Sequence, residues 1–430
     1  MGTPTKKVAF YTLGCKLNFS ETSTISRDFL KHGFEKVKFN EVADFYVLNT
    51  CSVTENADKE AKKIIRKAKK INPVAKVAVI GCFAQLQPKN IAKIDGVDIV
   101  LGANEKFNLL KYIDEISLGE SPKILNSDID SIKEFNPSYS IDERTRSYLK
   151  IQDGCDYSCS FCTIPFARGR SRSGKISSII KAAREIASSG KKEIVLTGVN
   201  IGDFGKGIDE SFIDLINELD KVRDIDRIRI SSIEPNLLTN EIIEFCDSSI
   251  KFMPHYHIPL QSGSNKILRA MRRRYDKKVY KNRIKKIKEK NPDTCIGVDV
   301  IVGFPGESKE DFLETYNFLA ELDISYLHVF SYSERPGTDA LKIHKKIQKS
   351  EKSRRSKMLR ILSAKKMRSF YSQFINKKRP ILFEGLKDGC LVGHTDNYIK
   401  TFVDIPIDYK NKIVDIKLTE VKGSHMVGNF

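Results

Sequence analysis

Between residues 7 and 330 the chain repeats one pattern: a short apolar run, a turn rich in Gly, Cys, Asn or Ser, then a stretch of helical period. Strands separated by helices cannot pair as hairpins, so they run parallel and are covered on both faces by the intervening helices. The fold class is therefore α/β. The first set of expected strands is 7–13, 44–48, 76–80 and 98–101, with helices beginning at Ser20 and over 58–70, 87–94 and 107–116. The second set is 144–152, 193–196, 226–230, 255–259, 295–302 and 326–330, six strands in all. Composition divides the chain into an N-terminal α/β unit (1–120), a polar linker (121–140), a central unit ending in a basic helix (141–372) and a C-terminal segment (373–430). In open α/β sheets and barrels, ligands collect at the carboxyl ends of the strands.

The cysteines lie at those ends. Cys15, Cys51 and Cys82 each follow one of the first three strands, so three thiols far apart in sequence can converge on one sheet edge. Any one of them alone reads as a small buried hydrophobe; all three together point to an iron–sulfur cluster with one iron left free. Cys155, Cys159 and Cys162 follow the first strand of the second set in Gly154-Cys155-Asp156-Tyr157-Ser158-Cys159-Ser160-Phe161-Cys162, a C-x₃-C-x₂-C spacing. That loop can hold three irons of a cubane cluster and leave the fourth open, where an electron carrier normally takes four cysteines. The competing readings are a zinc knuckle or half a ferredoxin, but zinc sites usually pair C-x₂-C with a second such pair. Cys246, Cys295 and Cys390 have no ligand spacing and are expected in the core.

Net charge is +19, and it is concentrated. Residues 266–290 carry thirteen Lys and Arg against two acids, and residues 341–380 carry fifteen against one. Two such blocks suggest a polyanion, with RNA the natural candidate. Lys365, Lys366 and Arg368, on the expected basic helix 342–378, are the candidate phosphate contacts. Short apolar runs at 380–384, 389–393, 398–405 and 411–420, separated by Gly and Asn-Lys turns, suggest a small β-barrel. No stretch of eighteen apolar residues occurs and the first residues lack a signal-peptide core, so a soluble, cytoplasmic chain with no membrane partner is expected.

In its C-x₃-C-x₂-C loop and six-strand central unit the chain resembles the radical S-adenosylmethionine (SAM) superfamily. The three dispersed cysteines, that loop and the terminal β segment together resemble the methylthiotransferases over nearly the whole length. The wording Gly14-Cys15-Lys16-Leu17-Asn18-Phe19-Ser20-Glu21-Thr22 and Asn49-Thr50-Cys51-Ser52-Val53-Thr54 is most similar to the branch acting on N6-threonylcarbamoyladenosine at tRNA position 37. The sister branch, acting on isopentenyladenosine, carries Gln-Met where this chain has Lys16-Leu17.

The resemblance implies a partial (β/α)₆ barrel, a TRAM-like RNA-binding C-terminal β-barrel, two [4Fe–4S] clusters and SAM. Cys155, Cys159 and Cys162 would hold the SAM-cleaving cluster, and Cys15, Cys51 and Cys82 the auxiliary one. Phe161 would lie beside the adenine, Gly198 would admit the methionine end, and Gly303 would let adenine pack flat. Asn200, Glu234 and Gln261 would hydrogen-bond the cofactor. Arg335, at the end of the sixth strand, would grip the threonyl carboxylate. The implied partners of this monomer are a tRNA anticodon stem-loop, a flavodoxin- or ferredoxin-like electron donor and a sulfur donor. The alternatives are an isopentenyladenosine tRNA substrate, a ribosomal-protein aspartate, or a non-catalytic iron–sulfur RNA-binding protein.

Overall fold

The computed structural model describes residues 5–51, 55–113, 121–141, 144–405 and 409–430. Ser52-Val53-Thr54 of the second motif and the end of the expected 107–116 helix lie outside the described residues.

Six parallel strands form the N-terminal sheet: β1 (Lys7–Thr12), β2 (Glu35–Val37), β3 (Phe45–Thr50), β4 (Lys76–Gly81), β5 (Ile99–Leu101) and β6 (Lys123–Leu125), in the order β2-β1-β3-β4-β5-β6. Central β3 is buried at every residue, as a strand covered on both faces must be. Tyr46 and Leu48 pack with Ala61, Ile64 and Ile65 of the helix Glu55–Ile71, while Phe45 and Val47 pack with Ile25 and Phe29 of the helix Lys16–Lys31. Strand β6 lies within the stretch expected to be a linker, and pairs Lys123 with Ile99. The linker reading is corrected there: a three-residue edge strand has no period long enough to read.

The central unit adds β7 (Ser138–Tyr139), β8 (Arg146–Lys150), β9 (Gln152–Asp153), β10 (Arg172–Ser173), β11 (Glu193–Thr197), β12 (Arg227–Ile230), β13 (His255–His257), β14 (Cys295–Val302) and β15 (Tyr326–Ser331). One sheet runs β12-β11-β8-β7 and another β13-β14-β15; parallel bridges Ile228–Phe252 and Ser232–His257 join them. The result is a partial barrel of six parallel strands. Alternate residues of β14 (Ile296, Val298, Val300, Val302) enter the hydrophobic core under the helices, so Gly297, Asp299 and Ile301 take the opposite face. The helix Lys349–Ser372 covers the β15 side through Leu359 and Leu362.

Strands β16 (Lys378–Lys387), β17 (Cys390–Thr395), β18 (Lys400–Val403), β19 (Ile413–Lys422) and β20 (His425–Asn429) close a separate barrel in the order β16-β17-β18-β20-β19. Its last strand, β20, has no counterpart among the four apolar runs expected there. This barrel seals the amino-terminal end of the central one: Arg227 donates to the carbonyls of Pro380 (2.7 Å) and His394 (3.2 Å), and Tyr398 stacks on His255 with centroids 4.1 Å apart. The carboxyl ends of the strands are left for chemistry.

Candidate active site between two cysteine loops

Strands β9 and β10 pair antiparallel and pinch off the loop that carries Cys155, Cys159 and Cys162. Gly154 opens it at φ +69°, where an added Cβ would lie 2.0 Å from the Arg170 carbonyl oxygen, so only glycine fits. All three thiols line one cavity of about 490 Å³, with Phe166 and Thr338 on its wall. The Tyr157 and Ile164 amides point at the Cys155 and Cys162 sulfurs (both 3.4 Å), and the Arg273 guanidinium donates to Cys159 Sγ at 3.1 Å. Burial pushes the Cys155 and Cys162 thiols up to about 12 and raises Cys159 as well. A bound metal would replace those protons and hold the sulfurs as thiolates. Three convergent sulfurs with N–H···S donors fit an iron–sulfur cluster, whose ligands are stabilised in this way.

The candidate SAM residues surround the mouth. Gly198 lies where a Cβ would meet the Gln152 carbonyl at 2.9 Å and its Oε1 at 3.0 Å. Gln152 is a clamp that sequence reasoning missed: Oε1 accepts from the Val199 and Asn200 amides, and Nε2 donates to the Asp153 and Gly154 carbonyls. It thus fixes the β11 turn to the start of the cysteine loop. Asn200 Nδ2 donates to Asp203 at 2.8 Å while its Oδ1 is buried with no partner among the described residues, as is Oδ1 of Asn236. Two orphaned acceptors beside a cysteine loop suit the ammonium and hydroxyl donors of SAM. Glu234 is bonded by Arg273, and burial raises its pKa despite that cation. Gln261 takes φ +66° and pairs by its backbone with β14. Phe161 packs edge-on to Phe304, and Gly303, at φ +72°, lies against the aliphatic stem of Lys352.

The dispersed cysteines also meet. Cys15 is the N-cap of the helix Lys16–Lys31, Cys51 follows β3 directly, and Cys82 opens a short helix after β4. Gly14, at φ +109°, brings the first loop onto the second; a Cβ there would sit 2.7 Å from Cys51 Cβ. Cys15 and Cys82 are electrostatic neighbours, and burial raises the Cys15 thiol although its surface opens into the recess. Asn18 ties the loops together by donating to the Leu13 carbonyl at 2.8 Å and the Thr50 carbonyl at 3.3 Å.

One buried ion network joins the two cysteine loops. Arg168, six residues after Cys162, donates to Asn18 Oδ1 at 2.6 Å, to Glu21 at 2.9 and 3.1 Å, and to Asp153 at 3.0 Å. Lys106 and Lys150 also reach Glu21, at 2.7 and 3.1 Å. Desolvation alone would raise the Glu21 carboxyl, but Arg168, Lys106 and Lys150 hold it well below the usual range.

Two expectations for substrate contacts change. Arg335 is buried and pairs with Asp58 of the N-terminal unit at 2.9 Å, so its guanidinium serves a contact between units. Lys366 donates to the Ala320 and Leu322 carbonyls, both at 2.6 Å, closing the carboxyl end of the helix Lys309–Glu321. Lys365 and Arg368 are exposed.

A partial parallel barrel with three thiols at its carboxyl mouth defines a radical SAM enzyme, one that works with an iron–sulfur cluster and SAM. Residues 149–319 match the Radical SAM superfamily, and residues 7–102 match the Uncharacterized protein family UPF0004. Threonylcarbamoyladenosine tRNA methylthiotransferase MtaB of Bacillus subtilis (strain 168) is 41% identical over 98% of this chain and 96% of its own length. The MtaB of Aquifex aeolicus (strain VF5) is 40% identical over 91% and 95%. The tRNA-2-methylthio-N(6)-dimethylallyladenosine synthase of Endomicrobium trichonymphae is 32% identical over 97% and 98%. Among solved structures, the radical SAM methyltransferase TsrM from Kitasatospora setae, with cobalamin and a [4Fe-4S] cluster bound, superposes with a TM-score of 0.57 at 14% identity, covering 78% of this chain and 77% of that one. The chain belongs to the radical SAM tRNA methylthiotransferase family. No helix among the described residues is long and apolar enough to cross a membrane.

Proposed function

We propose that the chain replaces the C2 hydrogen of N6-threonylcarbamoyladenosine at tRNA position 37 by a methylthio group, using two [4Fe–4S] clusters. When bound, the clusters and SAM supply sulfur, methyl and one-electron chemistry at an unactivated aromatic C–H, with two SAM used per turnover. The observation that carries the reading is the juxtaposition of two three-thiol loops, each at the carboxyl edge of a parallel sheet, through the Arg168–Asn18–Glu21 contacts. Cys155, Cys159 and Cys162 are assigned to the SAM-cleaving cluster, and Cys15, Cys51 and Cys82 to the auxiliary one. Asn200 and Asn236 would receive SAM donors, and Gln152 would hold the mouth in shape. The base must leave its stack to reach a recess between two units, which an anticodon-loop nucleotide does readily. Exposed Lys365 and Arg368 and the TRAM-like C-terminal barrel would hold RNA backbone. An external electron donor and a sulfur donor are required; no step calls for a second protomer.

The test is a competition between unmodified, isopentenylated and threonylcarbamoylated anticodon stem-loops, read by nucleoside mass spectrometry. Methylthiolation confined to the threonylcarbamoylated loop is expected. Equal turnover on the isopentenylated loop refutes the substrate assignment.

A further inference from the structure

Most cations near the barrel interior already have partners. Arg229 is held by Glu193 at 2.8 Å and donates to the Thr395 and Asp396 carbonyls, and Arg146 pairs with Glu384 at 3.1 Å. Lys16 stands apart. It is the first residue of the helix Lys16–Lys31, next to Cys15, and its side chain crosses from the N-terminal unit into the barrel. The charged and titratable groups around its ammonium are Tyr398, Arg146, Arg229 and Glu193, with His255 and His328 on the barrel wall. Among the described residues no carboxylate lies within ion-pair distance of it, and Glu193, within electrostatic reach, is already taken by Arg229 at 2.8 Å.

That placement is unfavourable on three counts. A cation at a helix amino terminus opposes the macrodipole, and the first turn contains no acid to offset it. A partly desolvated ammonium costs free energy unless paired. Arg146 and Arg229 add like charge. An anionic ligand group entering the barrel would relieve all three. The functional reading above supplies one, the carboxylate of the threonyl substituent, and the arginine expected to grip it is occupied by Asp58.

We propose that Lys16 is the specificity-determining cation that pairs with the substrate carboxylate. This rests on the threonylcarbamoyladenosine reading and extends it to a named side chain. An uncharged substituent at N6 would leave the Lys16 ammonium unpaired, so the same residue would select against it.

The test measures binding to cluster-loaded protein by fluorescence anisotropy, with three stem-loops: threonylcarbamoylated, its threoninamide counterpart, and unmodified. A charge-assisted hydrogen bond in this recess predicts that wild type prefers acid over amide by about tenfold or more. Lys16→Gln and Lys16→Met should bring acid and amide within about twofold of each other, and Lys16→Arg should keep the preference. Because Lys16 is unfavourably placed, the Gln and Met variants should melt at or above the wild-type temperature. A retained acid preference in the Gln and Met variants overturns the proposal. So does an equal weakening of all three stem-loops, which would mean that Lys16 contacts phosphate or merely supports the fold. Either result, alongside normal wild-type turnover on the threonylcarbamoylated loop, leaves the functional reading standing. Wild type that discriminates neither acid from amide nor the threonylcarbamoylated from the isopentenylated loop overturns both.

Discussion

Replacing Glu21 by Gln should be among the most destabilising single changes in the chain. Glu21, Lys106, Lys150, Asp153 and Arg168 are each at most 3 % exposed, so three cations share two carboxylates away from water. Glu21→Gln raises that buried imbalance from one positive charge to two. Lys106 loses the carboxylate it touches at 2.7 Å, while Lys150 and Arg168 keep only Asp153, at 2.7 and 3.0 Å. Gln matches Glu in volume, so no cavity contributes and the loss is electrostatic. Breaking a buried pair in this way costs about 3–5 kcal/mol, a factor of roughly 10² or more in the opening equilibrium. Because three units are present, the quantity to measure is hydrogen exchange in the helix Lys16–Lys31 rather than a single global midpoint.

The pH dependence has a definite sign. The folded Glu21 carboxyl is depressed, so its stabilisation is complete above the unfolded value of about 4.3 and is lost as pH falls toward the folded one. The difference between wild type and variant should be flat from about pH 5 to 8 and shrink below about pH 4. A loss below about 1 kcal/mol, or a difference that grows on acidification, would refute the reasoning.

The two cysteine sets should separate by function. Cys159→Ala should abolish SAM cleavage to 5′-deoxyadenosine, whereas Cys51→Ala should retain cleavage and insert no methylthio group; loss of cleavage in Cys51→Ala protein that still holds its central cluster would reverse the roles. Converting Lys365 and Arg368 to Ala should reduce the salt slope of tRNA affinity by about 0.7–0.9 log units for each phosphate no longer neutralised, and an unchanged slope would remove that helix face from the RNA interface.

Whatever could be read along the chain was local or periodic. The C-x₃-C-x₂-C loop was legible because its three sulfurs lie within eight residues, so chain connectivity brings them together. The six barrel strands were legible because apolar runs bounded by turns have few other outcomes; the expected 295–302 is β14, Cys295–Val302. That Cys15, Cys51 and Cys82 would meet followed from parallel strands ending on one edge. Which charges pair was settled by packing. Nothing in the local pattern around Arg168 names Glu21, 147 positions away, and Arg335 met Asp58, 277 positions away, where a substrate contact was expected. Lys366 sits in a basic run like its neighbours, yet the packing of its helix against the end of Lys309–Glu321 gives it two carbonyls. Strands β2 and β6 exist because an open edge was available to pair with, not because three residues carry a period. Spacing along the chain dictates which donors can share one loop. Only the docking of the N-terminal unit onto the barrel decides which buried charges are neutralised, and which, like Lys16, are left for a ligand.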